Sequence, residues 1–430
     1  MGVDALGVEI MGLGSVVSIG DRVALASVAG QALPAEIVAF RDGIARAMPF
    51  GPTAGLAAGH RVVAGMPARP GGLAVGEGWL GRVLDALARP LDGRGPLPPG
   101  PFSRAVHTEP PGPGTRAGLG CRMDLGVRAL NLFATCRRGQ RLGLFAAAGG
   151  GKSTLLSMLA RHTACDVAVV ALIGERGREV REFIEDGLGA EGLARSCVVV
   201  ATSDAPPLLR REAAYAAMTI AEFFRDQGQS VLLMMDSVTR FCHALREIGL
   251  AAGQPPATRG YPPSVFAELP RLLERAGPGP ESGTGAGHIT ALLSVLVEAD
   301  DLNEPVADAV RGLIDGHVIL DRRIAEAGRY PAVDVLRSLS RAASGCLDAA
   351  EAASVAKARG ILSQHRDLAD LVRLGAYKSG SDPAADEAIL LAPRIEDLLR
   401  QAPGERSDLE ADFRLLATSL AIDPQPVTAP

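Results

Sequence analysis

Residues 143–155 read GLFAAAGGGKSTL. An apolar, strand-like run, RLGLFAA at 141–147, meets three glycines and then Lys-Ser-Thr, and the STLLSMLARH that follows has helical character. A strand that turns through glycines into a helix cradles a phosphate: backbone N–H groups face inward and the helix dipole adds positive charge. The pattern for such a loop is G-x-x-x-x-G-K-[ST]. Ala146 stands where its first glycine is expected, and a methyl group is tolerable there if the position needs no positive φ. Ala147, Ala148, Gly149, Gly150, Gly151, Lys152, Ser153 and Thr154 are the candidate nucleotide-binding residues. Lys152 would reach the β- and γ-phosphates of ATP, and the Ser153 hydroxyl would hold Mg2+.

Working outward from the loop, DVAVVALIG (166–174) and CVVVAT (197–202) read as buried strands, as do SVLLMMD (230–236) and HITALLSVLVEAD (288–300). PPLLRREAAYAAMTIAEFFRDQG (206–228) reads as a helix with two prolines near its start, where proline is tolerated. Strands alternating with helices predict an α/β domain with a largely parallel sheet. In such sheets ligands sit beyond the carboxyl ends of the strands. Glu175, immediately after one strand, is therefore a candidate to orient or activate a water against the γ-phosphate. Asp236 ends an apolar strand, where a carboxylate needs a partner, and Mg2+ would supply one. In GRYPAVDVLRSLSRAAS (328–344), Tyr330 is a candidate to stack on a base. Arg341 is, by residue chemistry alone, no more than a surface arginine.

The 430 residues divide by composition. Residues 1–95 are short apolar stretches broken by glycine, predicting a small β domain of barrel type. Residues 96–118 lie in a Pro/Gly-rich stretch and predict a linker over a surface. Residues 119–345 carry the α/β pattern, and 346–430 predict a small helical domain. The formal charge is −5, so no global field favours nucleic acid, and no aromatic-and-basic platform for RNA is evident. Six scattered cysteines lack metal-ligand spacing and predict reduced thiols in a cytoplasmic setting. No apolar run approaches the ~20 residues a membrane helix needs.

Taken together, GQRLGLFA, IGERGREVREF, DSVTRF, RGYPPSVFAELPRLLERAG, YPAVDVLRSLSR and GAYKSGSDPAADEAI resemble the family of rotary-type ATPase catalytic subunits and type III export ATPases. Within that family the chain resembles the flagellar export ATPases in particular, and a phosphate loop opening with alanine is consistent with them. The resemblance implies a RecA-like P-loop NTPase core between an N-terminal β-barrel and a C-terminal helical domain. It implies ATP hydrolysis with Mg2+, with Lys152 and Ser153 on the phosphates and metal, Glu175 as catalytic carboxylate and Arg176 as a supporting arginine. It also implies Asp236 at the metal, Tyr330 beside adenine and Arg341 as a finger into a neighbouring copy. The implied assembly is a homohexamer at the inner face of the cytoplasmic membrane. Its implied partners are a stator-like regulator, a stalk protein, chaperone–cargo complexes and the export gate. A virulence-type secretion ATPase and a proton-translocating ATP synthase subunit share most of these motifs.

Overall fold

The computed structural model describes residues 2–421 except 5–6, 15, 27–31, 65–71, 148, 282–285 and 299–300. The N-terminal strands Gly2–Val3, Val8–Ile10, Arg22–Ala26, Ala32–Arg41, Ile44–Pro49 and Val62–Val63 form one antiparallel sheet. Alternate residues Val8 and Ile10, Val23 and Leu25, Ala35 and Ile37, and Ala45 and Ala47 face a core of their own. The two longest strands are joined through Asp42 and Gly43 at φ 49° and 79°, the doubly left-handed turn that Asp-Gly favours in a two-residue hairpin.

Among the described residues the central sheet has nine strands. Its main path runs Leu339–Ser340, Gly316–Leu320, Arg141–Ala146, His288–Leu296, Ser230–Asp236, Val167–Glu175, Ser196–Thr202 and Arg82–Asp85, with Gly277–Pro278 added beside His288. Leu339–Ser340 and Gly277–Pro278 run antiparallel and the rest parallel. The apolar runs at 141–147, 166–174, 197–202 and 230–236 all become strands of this sheet, and of the run at 288–300 the first nine residues, His288–Leu296, do so. Period-2 alternation then fills two cores. Val167, Val169, Ala171 and Ile173 join one with the helix Pro207–Arg225, whereas Ala168, Val170 and Leu172 join the other with the helix Lys152–His162. Strands buried on both faces read as unbroken apolar runs, which is why they stand out in the sequence.

Residues 82–85 fall at the end of the N-terminal unit in the sequence reading, yet they form the last strand of this central sheet, Arg82 opposite Cys197. The Pro/Gly-rich stretch lies over the core: Trp79 Nε1 donates to Pro98 O (3.0 Å), Arg104 pairs with Asp226 (2.7 Å), and Ala117 N donates to Gly279 O (2.9 Å). A buried ion network joins the N-terminal sheet to the core. Arg211 makes a two-pronged contact with Glu36 (2.6 and 2.9 Å) and also meets Glu212 (2.7 Å), which His107 approaches at 2.9 Å. Buried charges are tolerable only when paired this fully, so the network fixes where the sheet docks.

Helices Ala349–Arg373, Pro383–Leu398 and Leu409–Ser419 follow. Each starts on an aspartate whose carboxylate accepts a backbone N–H of the first turn: Asp348, Asp382 and Asp408. Such caps satisfy donors the helix cannot. The six cysteines are free thiols. Among the described residues no helix is long and apolar enough to cross a membrane.

Candidate active site

The strand Arg141–Ala146 ends buried between its neighbours, with Ala146 in register with Leu296 and Leu320. Position 146 is therefore regular strand, where alanine serves as well as glycine. The left-handed residues come later, Gly149 at φ 83° and Gly151 at φ 79°, and both need glycine. Ala147 lies between strand and turn; Ala148 lies outside the described residues. Gly151 caps the helix that Lys152 begins. Ser153 and Thr154 on its first turn are exposed and line a cleft of about 320 Å3 together with Glu175, Glu179, Asp236 and Pro403.

Three predicted residues converge. Lys152 Nζ lies 3.3 Å from Glu175 Oε1 and donates to Asp236 Oδ1. Glu175 reaches it through a register shift between Ile173 and Glu175, a bulge of the kind that re-aims a side chain. Gly174 supplies the left-handed turn, φ 71°. Burial, and next the charge of Asp236, push the Glu175 carboxyl up to about 7 despite the opposing pull of Lys152.

Tyr330 is half exposed and stands beside the loop: a methyl group on Gly151 would lie 3.6 Å from its ring. Arg176 follows Glu175 but does not join the cluster. Its side chain is 82% exposed and its guanidinium lies 3.4 Å from Glu179. Arg341 is exposed just after an edge strand of the sheet, where its N–H donates to Asp315 O (2.9 Å). It follows the strand Leu339–Ser340, which pairs with Gly316 and His317 at the starting end of Gly316–Leu320, whereas the loop leaves Arg141–Ala146 level with the finishing end of Gly316–Leu320. The length of that strand, about 13 Å, separates Arg341 from the loop of its own chain.

Two neighbours of the cluster escaped the sequence reading. Ser294 Oγ donates to the same Asp236 oxygen that Lys152 contacts (2.6 Å), and it is fully buried. The signal was a single hydroxyl at the centre of ALLSVL, on the strand paired with SVLLMMD. Arg240 lies against the Glu175 turn, so that a methyl group on Gly174 would fall 2.9 Å from its Cβ and Cγ.

Mg2+ fits the donor set. The Ser153 hydroxyl and the Asp236 carboxylate are hard oxygen donors, and the described residues hold no group of three or more His, Cys, Asp or Glu able to enclose a metal. A cation that takes most of its shell from water and phosphate needs no more.

Residues 126–340 match the ATP synthase alpha/beta family, nucleotide-binding domain, and residues 347–418 match the T3SS EscN ATPase C-terminal domain. The chain is 52% identical to the flagellum-specific ATP synthase of Caulobacter vibrioides, covering 97% of this chain and 94% of that one. It is 48% identical to the type 3 secretion system ATPase of Xanthomonas euvesicatoria, covering 97% and 92%. The assembled ATPase EscN of the enteropathogenic E. coli type III secretion system superposes with a TM-score of 0.90 at 38% identity over 98% of this chain and 99% of that one. EscN in complex with its central stalk EscO gives 0.86 at 37% identity, with the same coverage. With its RecA-like core and its secretion-type C-terminal domain, the chain belongs to the ATP synthase alpha/beta family, in the branch of the type III secretion ATPases.

Proposed function

We propose that the chain is the ATP-hydrolysing subunit of a flagellar type III protein export apparatus, working as a homohexameric ring. The observation that carries the reading is the split of the charged groups. Lys152, Glu175 and Asp236 meet at the carboxyl ends of the sheet's central strands, whereas Arg341 follows an edge strand level with their starting ends, so a complete site needs two copies arranged head to tail.

In this reading the glycine loop holds the β-phosphate and Tyr330 flanks adenine. Lys152, already between two carboxylates, turns to the phosphates when a triphosphate enters. Glu175 in its charged form orients the attacking water, and Arg341 of the next copy stabilises the charge that builds on the transferring group. Phosphoryl transfer is mostly positioning and charge stabilisation, and a finger contributes about 10³–10⁵ in rate. Ser153 and Asp236 are the residues that would hold Mg2+, which when bound would offset the charge of the phosphates.

The C-terminal match supports secretion over proton-driven synthesis, and the flagellar relative is the more similar of the two named above. The described assembly of EscN with a central stalk supports a stalk partner here. A stator-like regulator, chaperone–cargo complexes and docking at an export gate on the inner face of the cytoplasmic membrane complete the proposal.

Hydrolysis measured against protein concentration, with sizing alongside, tests it. The specific rate should rise steeply as rings form. A flat, negligible rate in sized hexamers that still bind ATP would instead indicate a subunit needing a different ring partner.

A further inference from the structure

The turn that carries Tyr330 is gripped from the C-terminal unit at three consecutive residues. Arg400 Nη1 donates to Gly328 O (2.8 Å). Arg329, buried and bonded to Pro331 O and Val333 O, has its Nε 2.6 Å from Glu396 Oε2, an ion pair. Gln401 N donates to Tyr330 O (2.9 Å).

Gln401 is 4% exposed and uses its whole amide. Its Oε1 accepts from Arg128 N (2.8 Å), while Nε2 donates to Gly126 O (2.9 Å) and Glu405 O (2.7 Å). Arg128 holds the same segment from below, through Leu398 O, Arg400 O, Glu405 and Asp412. A buried amide satisfied on both ends has one orientation, so its backbone N–H is fixed relative to residues 126–128, which open the ATPase core. The turn after Gln401 brings Pro403 to the cleft wall beside Ser153 and Thr154.

We infer that Gln401 is a positioning residue for the base end of the nucleotide: its side chain ties the 398–405 segment to Gly126 and Arg128, and its backbone thereby holds Tyr330 beside Gly151. The inference rests on the reading of Tyr330 as the residue that flanks adenine. It makes the C-terminal unit a determinant of nucleotide affinity without any of its residues touching the phosphates.

The test uses the full chain with Gln401→Ala, Gln401→Glu and Tyr330→Ala. Gln401→Glu keeps size and the acceptor for Arg128 but loses both donors, and it carries the test if the alanine variant fails to fold. Binding of adenylyl imidodiphosphate is compared with binding of inorganic tripolyphosphate, which has phosphates and no base. Stacking on an aromatic ring is worth enough that its loss lowers affinity about tenfold or more. Both Gln401 variants should lose about tenfold for adenylyl imidodiphosphate and stay within about twofold for tripolyphosphate. KM for ATP should rise with kcat within about twofold, the pattern of lost ground-state binding. Unchanged adenylyl imidodiphosphate binding in both Gln401 variants overturns the inference, and so does an equal loss for both ligands. If Tyr330→Ala itself leaves the ratio of the two affinities unchanged, the base-flanking reading falls, and the inference with it.

Discussion

Glu175 sets the pH behaviour of the site. Its carboxyl is raised to about 7 from an ordinary value of 4.5, so the charged form, which orients water in the proposed function, grows as pH rises through neutrality. Turnover should climb as pH rises through about 7, and Glu175→Gln should bind ATP yet lose hydrolysis. Stability moves the other way. Between pH 4.5 and 7 the folded chain keeps a proton the unfolded chain has released, so this group's contribution to stability falls as pH rises, and it is constant above that window. Glu175→Gln should therefore gain thermal stability relative to the parent on going from pH 5 to pH 8, checked by melting curves at both. Lys152, Ser153, Glu175 and Asp236 were legible in the sequence because each sits at a junction between an apolar run and a turn. Ser294 was not, because a hydroxyl inside a buried strand reads as core until the neighbouring strand brings Asp236 level with it. Arg341 entered the candidate site only by resemblance, since its own chain places it level with the starting ends of the strands and away from the loop.

The turn after Val167–Glu175 shows how one backbone position sets two side chains. Gly174 is left-handed and packed against Arg240. Gly174→Ala would meet both a left-handed backbone, about 1–2 kcal/mol for an L side chain, and a contact of 2.9 Å with Arg240. Expected outcomes are a lower denaturant midpoint and a drop in kcat larger than the change in KM, as Glu175 and Arg240 shift together. Element boundaries followed the sequence closely for most strands covered on both faces, as in SVLLMMD, which is strand from Ser230 to Asp236, whereas the run read as 288–300 is strand only from His288 to Leu296. They failed for Arg82–Asp85. Four residues before a turn carry no signal of which sheet they join, because that pairing is made with Ser196–Thr202, more than a hundred positions on.

At the scale of the whole molecule, the position of Arg341 away from its own phosphate loop permits a complementation experiment. Glu175→Gln and Arg341→Ala should each be inactive as pure rings. Mixed one to one, they should regain activity, because about a quarter of interfaces in a random head-to-tail ring pair an intact carboxylate with an intact arginine. A mixture as inactive as its components would place both groups in a single chain's site.

The strand at 82–85 carries a consequence for how the molecule can be divided. It pairs with Cys197–Val200 along the outer side of Ser196–Thr202, and it is itself closed off by Leu91, whose N–H donates to Val83 O, and by Asp92, which grips Arg82 at 2.7 Å. A fragment that begins at residue 119 lacks all of these residues and leaves Ser196–Thr202 bare, with SCVVVAT offered to any passing strand. Long apolar edges of that kind are templates for stacking chain on chain. The ATPase core is thus a folding unit only with the segment that precedes its linker attached, and sticky, polydisperse material is the expected product of cutting between them.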